Sequence, residues 1–121
     1  MPSENSDLKH LTSLVRTFCE DREWDQFHSP KELAIGISTE AAELLDLFRF
    51  KSPEQMEAMF KDKKIRGKIE DEMADVLFMI LRMAQMNNVD LAQAVIHKLQ
   101  KNEQKYPIEK ARGSNRKYNE E

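Results

Sequence analysis

"EDEMADVLFMILRMAQM", Glu70 to Met86, is the stretch on which the fold turns. From Val76 onward it is apolar on nearly every side, broken only by Arg82 and Gln85. A helix that is hydrophobic all round is buried all round. Four helices from one small chain cover such a helix only with difficulty, so subunit association is expected, because exposed apolar patches of this size mark interfaces. The alternative is a central helix already covered by its own three neighbours.

The rest of the chain supplies those neighbours. Only three Gly and four Pro occur in 121 residues, which leaves little turn material and favours long helices over many strands. Leu8, Leu11, Leu14, Val15 and Phe18 recur at helical spacing, with Ser6 or Asp7 as N-cap, and predict a first helix to about Glu23. "WDQFHSP" (24–30) is an aromatic-bearing connection, and Pro30 opens a second helix with Leu33, Ile37, Ala41, Leu44, Leu45 and Phe48 on its stripe, ending near Phe50. Residues 51–64 are polar and Lys-rich, with Met56, Met59 and Phe60 marking a short helix in a connecting segment. The third principal helix covers about Ile65 to Met86. "NNVD" is a turn whose Asp90 caps a fourth, from Leu91 to about Lys105, which Pro107 ends. The expected fold is an all-α, four-helix bundle forming one domain over residues 1–121, with residues from about 107 onward a C-terminal arm whose tail "RGSNRKYNEE" (112–121) is extended or mobile.

Composition narrows the function. A formal net charge of −3 argues against a nucleic-acid-binding face, although Lys110, Arg112, Arg116 and Lys117 gather near the C-terminus. Cys19 is the only cysteine, so neither a disulfide framework nor a Cys-rich zinc site is available. The polar N-terminus is unlike a signal peptide, and no apolar run approaches the roughly 18 residues that span a bilayer. A cytoplasmic protein without membrane or nucleic-acid partners is expected.

Two acidic pairs interrupt the apolar pattern. Glu40 and Glu43 fall among Gly36, Ile37, Leu44 and Leu47, and Glu72 and Asp75 fall beside Ile69, Val76 and Met79. Glu54 and Glu57, by contrast, have Lys51 and Lys61 at helical offsets, as a solvated face does. Like charges three apart repel, and desolvating them is costly without compensation. Two such pairs on neighbouring helices compensate by taking up cations, and oxygen-only ligands select hard Mg²⁺, with Mn²⁺ as a substitute. His10, His28 and His97 do not take the fourth place of either pair, unlike the Glu-x-x-His of di-iron bundles. The competing reading pairs these acids with lysines at the rim. On the fourth helix, Lys98, Asn102 and Lys105 form a donor stripe suited to phosphate oxygens, or else an ordinary exposed face.

Glu40-x-x-Glu43 followed by Glu72-x-x-Asp75 resembles the signature of the MazG-like, all-α nucleoside triphosphate pyrophosphohydrolases, the dCTP pyrophosphatase branch in particular. The resemblance extends through "REWDQFHSP", "LFRFK", "DEMADVL", "VDLAQAVIHKLQKNEQKYP" and "RGSNRKY". It implies Mg²⁺-dependent hydrolysis of a (deoxy)nucleoside triphosphate, dCTP-like, to the monophosphate and pyrophosphate. It also implies a house-cleaning role in the nucleotide pool and a homotetramer built as a dimer of dimers. Glu40, Glu43, Glu72 and Asp75 would hold Mg²⁺, and Glu43 or Glu72 would orient or deprotonate the attacking water. Lys98, Asn102, Lys105, Tyr106 and Lys117 would contact phosphate or sugar. Trp24 and Phe50 would stack on the base, with Phe50 in place of an expected Trp. Met79 replaces a Tyr and Val15 a His, which removes polar readers of the base edge, so modest base discrimination is expected. The other readings are a pyrophosphohydrolase acting on a different nucleotide and a non-catalytic helical interaction module.

Overall fold

The structure, a computed structural model, describes residues 7–119. These form six helices and, among the described residues, no strand: α1 Leu8–Asp21, α2 Pro30–Phe48, α3 Pro53–Lys61, α4 Lys63–Met86, α5 Leu91–Lys105 and α6 Ile108–Ala111. The chain divides after Asn88 into two compact units, the first carrying α1 to α4 and the second α5 and α6. Among the described residues no helix is long and apolar enough to cross a membrane.

Local chemistry sets the boundaries. Asp7 caps α1 by accepting from the His10 N–H at 2.7 Å; Ser6, the other expected cap, lies outside the described residues. α1 stops at Asp21, two residues before the expected Glu23, because Glu23 adopts φ 56° and turns the chain. Ser29 caps α2, with Pro30 in the first turn, where its missing N–H costs nothing. α2 ends at Phe48, and Phe50 at φ 61° redirects the backbone. Ser52 and Gln55 form a reciprocal capping box on α3. Asp62 then closes α3 and opens α4, accepting from the Lys64 and Ile65 N–H groups, so α4 starts at Lys63 rather than Ile65. Asp90 caps α5 as expected, through the Gln93 N–H. The C-terminal arm begins with the single turn α6 after Pro107.

Within the first unit α4 packs on α1, α2 and α3, most extensively on α2. Cys19, Leu33, Met59, Ile69, Leu81 and Ala84 are buried there, one or more from each helix. Gly36 faces Met79 while Glu40 and Glu43 meet Glu72, so α2 and α4 run antiparallel. A Cβ on Gly36 would stand 3.0 Å from Met79 Sδ, so the missing side chain is what lets the two helices approach. The burial of α4 is one-sided, not complete: Ile69, Leu81, Arg82 and Ala84 are inside, whereas Met73 and Leu77 are 54% and 41% exposed. α5 has no buried residue, and its Val95, Ile96 and Leu99 are exposed.

Gly36 gives the first test. Gly36→Ala should stay within about 1 kcal/mol of wild type, since better helix propensity offsets a small shift of the flexible Met79. Gly36→Val should lose about 1–3 kcal/mol through overpacking. Urea midpoints of the two variants check this, and equal midpoints would mean that the seam is loose at Gly36.

Candidate active site

The seam between α2 and α4 holds the acidic residues. Glu40 and Glu43 stand one turn apart on α2, and Glu72 and Asp75 one turn apart on α4. One carboxylate oxygen each from Glu40, Glu43 and Glu72 lies within 4.8 Å of the others. Asp75 is close enough to raise the proton affinity of both Glu40 and Glu72. Glu40 and Glu72 are half-buried, while Glu43 and Asp75 reach solvent. The Oε2 atoms of Glu40 and Glu72 are buried without any hydrogen-bond partner. Among the described residues the ion pairs are Arg16–Glu20, Arg49–Asp46, Lys61–Glu57, Arg66–Glu70 and Arg82–Asp25, and none reaches these four acids. Pairing with rim lysines is therefore not how this structure answers the repulsion, although Glu57 does pair with Lys61 on the solvated α3 face.

Burial, followed by the neighbouring Glu43, Asp75 and Glu72 carboxylates, pushes the Glu40 pKa up to about 7. Burial and then the Glu43 charge raise Glu72 above the usual carboxylate range. Buried carboxylate oxygens without donors, at this separation and with no nitrogen or sulfur among them, fit a hard divalent cation.

A cavity of about 530 Å³ opens beside the acids, lined by Leu14, Val15 and Phe18 of α1, Trp24, Glu40, and Asp75, Phe78 and Met79 of α4. Phe18 meets Trp24 and Phe78 edge-on, at 5.7 and 5.9 Å between ring centroids. Aromatic and aliphatic walls with acids at one side suit a flat heterocycle joined to a polyanion whose charge a cation offsets. The structure thus gathers Trp24, Val15 and Met79 with Glu40 and Asp75. Phe50 stands outside that lining, 92% exposed, with the Arg49 guanidinium 5.0 Å from its ring centroid.

In the second unit, Lys98, Asn102 and Lys105 share one face of α5, with Asn102 half-buried and both lysines exposed. Lys105, Tyr106 and Lys117 meet around another cavity of about 530 Å³, with Lys110, Arg116 and Tyr118. The Lys105 ammonium lies 4.8 Å from the Tyr118 ring centroid, and Tyr106 meets Tyr118 edge-on.

The pattern of the MazG-like family matches residues 35–120. The chain belongs to the MazG-like family. This MazG-like chain is 36% identical to dCTP pyrophosphatase 1 of Mus musculus over 116 residues, 96% of this chain and 68% of that protein. To dCTP pyrophosphatase 1 of Homo sapiens it is 33% identical over 118 residues, 98% of this chain and 69% of that one. Its fold matches the crystal structure of a pyrophosphatase from Archaeoglobus fulgidus DSM 4304 with a TM-score of 0.77 and 33% identity, covering 88% of this chain and 98% of that one.

The sequence alone did not reveal one set of residues, which holds the connection that carries Trp24. Arg82 is fully buried, and Asp25 and His28, from the connection that carries Trp24, accept two of its hydrogen bonds. The signal in the sequence was a lone Arg in an apolar helix together with an Asp and a His in an aromatic loop.

The raised carboxylates make a signed pH prediction for metal-free protein. Glu40 and Glu72 bind protons more tightly folded than unfolded, so their stabilisation is full below the ordinary value of 4.5 and is lost as pH rises, for Glu40 through about 7. His28, whose pKa burial and then Arg82 lower from 6.5, acts oppositely and loses stability as pH falls. Glu40→Gln should match wild type near pH 4.5 and equal or exceed it near pH 7.5, as urea unfolding in the presence of chelator will show. A Glu40→Gln protein clearly weaker at the higher pH would contradict the crowding of these acids.

Proposed function

We propose that this chain is a Mg²⁺-dependent nucleoside triphosphate pyrophosphohydrolase, with dCTP-like nucleotides as its substrates, monophosphate and pyrophosphate as its products, and house-cleaning of the cytoplasmic nucleotide pool as its role. The observation that carries this reading is the pair of buried, unpartnered oxygens on Glu40 and Glu72 inside a carboxylate cluster beside an aromatic cavity. Support comes from the MazG-like match, and from relatives named dCTP pyrophosphatase 1 and the Archaeoglobus fulgidus pyrophosphatase, each of these proteins at or above 33% identity.

Glu40, Glu43, Glu72 and Asp75 hold the cation. When bound, Mg²⁺, or Mn²⁺ in its place, neutralises charge on the phosphoryl oxygens. Hydrolysis of a phosphoanhydride needs that neutralisation and an oriented water more than a covalent nucleophile. Glu43 is the acid of the oxygen cluster that reaches solvent. It takes the water proton, with Glu72 as the second catalytic carboxylate. Lys98, Asn102, Lys105, Tyr106 and Lys117 donate to phosphate or sugar oxygens, as ammonium, amide and phenol groups can. Trp24 stacks on the base, and Phe50 is a second stacking surface. Val15 and Met79 give the base edge no hydrogen bond, so the cavity selects by shape and stacking and discriminates modestly among bases. The exposed apolar side chains of α4 and α5 are covered by further copies of the chain in a homotetramer.

Mg²⁺ binds the folded site and not the unfolded chain, so it should raise the wild-type melting temperature. The rise should shrink or vanish in Glu43→Gln and Glu72→Gln, with turnover lower by orders of magnitude and pyrophosphate release as the readout. Equal Mg²⁺ responses with activity retained would remove these acids from the site. Trp24→Ala should raise KM about tenfold with a smaller change in kcat, within the range that base–aromatic stacking supplies. An unchanged KM would take Trp24 out of the base pocket.

A further inference from the structure

Arg82 is the largest fully buried side chain among the described residues. Desolvating a guanidinium is tolerated only where its hydrogen bonds are met. Here Nη1 donates to Gln85 Oε1 at 2.6 Å, one turn along α4, while the two remaining bonds leave the helix. Nε donates to His28 Nδ1 at 2.9 Å, and Nη2 donates to Asp25 Oδ1. Both of these partners belong to the connection between α1 and α2, on either side of which the chain turns.

That connection carries Trp24. Glu23 precedes it in a left-handed conformation, and the Trp24 N–H donates to the Cys19 carbonyl at 3.1 Å. On one side its ring meets Phe18 edge-on, and on the other it meets His28 edge-on with 5.7 Å between centroids. His28 therefore meets two groups at once: the guanidinium through Nδ1 and the indole through an edge-on ring contact. Burial and the Arg82 charge keep the imidazole neutral near pH 7, so Nδ1 accepts and Nε2 holds the proton.

We infer that Arg82 is a positioning residue for nucleotide binding: through His28 and Asp25 it fixes Trp24 as a wall of the cavity that Glu40 and Asp75 also line. The assignment rests on the pyrophosphohydrolase reading for its consequence, but not for its geometry. Arg82 lies seven residues, or two helical turns, beyond Asp75 on α4. One rigid helix thus carries both an acid of the cation site and the anchor of the aromatic wall. The spacing between the two is set by helix rise and not by a loop. Lysine cannot replace Arg82, because a single ammonium has no planar fork to reach His28 and Asp25 together.

The chain has one tryptophan, so its intrinsic fluorescence reports Trp24 alone. Arg82→Lys and Asp25→Asn are the variants of choice; the second changes a side chain that is 57% exposed and leaves the buried guanidinium in place. Both should shift Trp24 emission to the red and increase its quenching by acrylamide in protein without nucleotide. With a dNTP and Mg²⁺, both should raise KM about three- to tenfold while kcat stays within about twofold, the split expected for lost binding rather than lost chemistry. In a Trp24→Ala background, Arg82→Lys should leave KM where Trp24→Ala put it, because the residue being positioned is gone. Unchanged emission and quenching in variants with wild-type circular dichroism would overturn the inference. So would KM effects of Arg82→Lys and Trp24→Ala that multiply, since these would give Arg82 a separate role. A wild-type protein that hydrolyses no nucleotide would defeat the pyrophosphohydrolase reading instead, and the fluorescence comparison would still decide whether Arg82 holds Trp24.

Discussion

Glu40 and Glu72 face each other across the α2–α4 seam with oxygens that no donor among the described residues reaches. Helix geometry brings a second acid to each side, Glu43 and Asp75, so repulsion is built into the contact that packs the unit most extensively. Close approach at Gly36 brings the helices together one turn away and aggravates the crowding. A fold selected for stability alone would place apolar or paired residues there. Protonation answers the repulsion partly, as the raised Glu40 and Glu72 show, and a hard cation held by these acids would answer it more fully.

α4 organises the rest of the unit. Its first turns give Ile69 to the core, its middle presents Glu72 and Asp75, and its last turns bury Leu81, Arg82 and Ala84. Met79 packs over Gly36, while Phe78 and Met79 line the cavity next to the acids. The same helix therefore sets the seam, the acids, the apolar cavity wall and the anchor of the Trp24 connection. Mobility in any one of these would be felt in the others, because they share one rigid backbone.

Much of this was legible from residue spacing. The all-α architecture followed from apolar positions three and four apart and from scarce Gly and Pro, and the caps at Asp7 and Asp90 were expected, whereas those at Ser29 and Asp62 emerged only in the structure. The convergence of Glu40, Glu43 and Glu72 was foreseeable because acids on the apolar stripes of two helices are carried into the same seam by the residues that pack it. The single turn α6 was not, since one turn after Pro107 leaves no periodic signal. Nor was the Arg82 network: an Arg in an apolar run marks a partner but does not name it, and Asp25 and His28 are more than fifty residues away in sequence. The exposure of Phe50 was likewise invisible, because its left-handed backbone depends on how the chain leaves α2.

Whether the acids form a cation site is tested most directly by the anomalous scattering of Mn²⁺ in crystals of the protein grown or soaked with that ion. A cation site predicts a Mn²⁺ peak within coordination distance of carboxylate oxygens of Glu40, Glu43, Glu72 and Asp75, on the side of the seam that opens to the Trp24 cavity. Mn²⁺ found only elsewhere, with these oxygens paired to lysines or arginines, would contradict it.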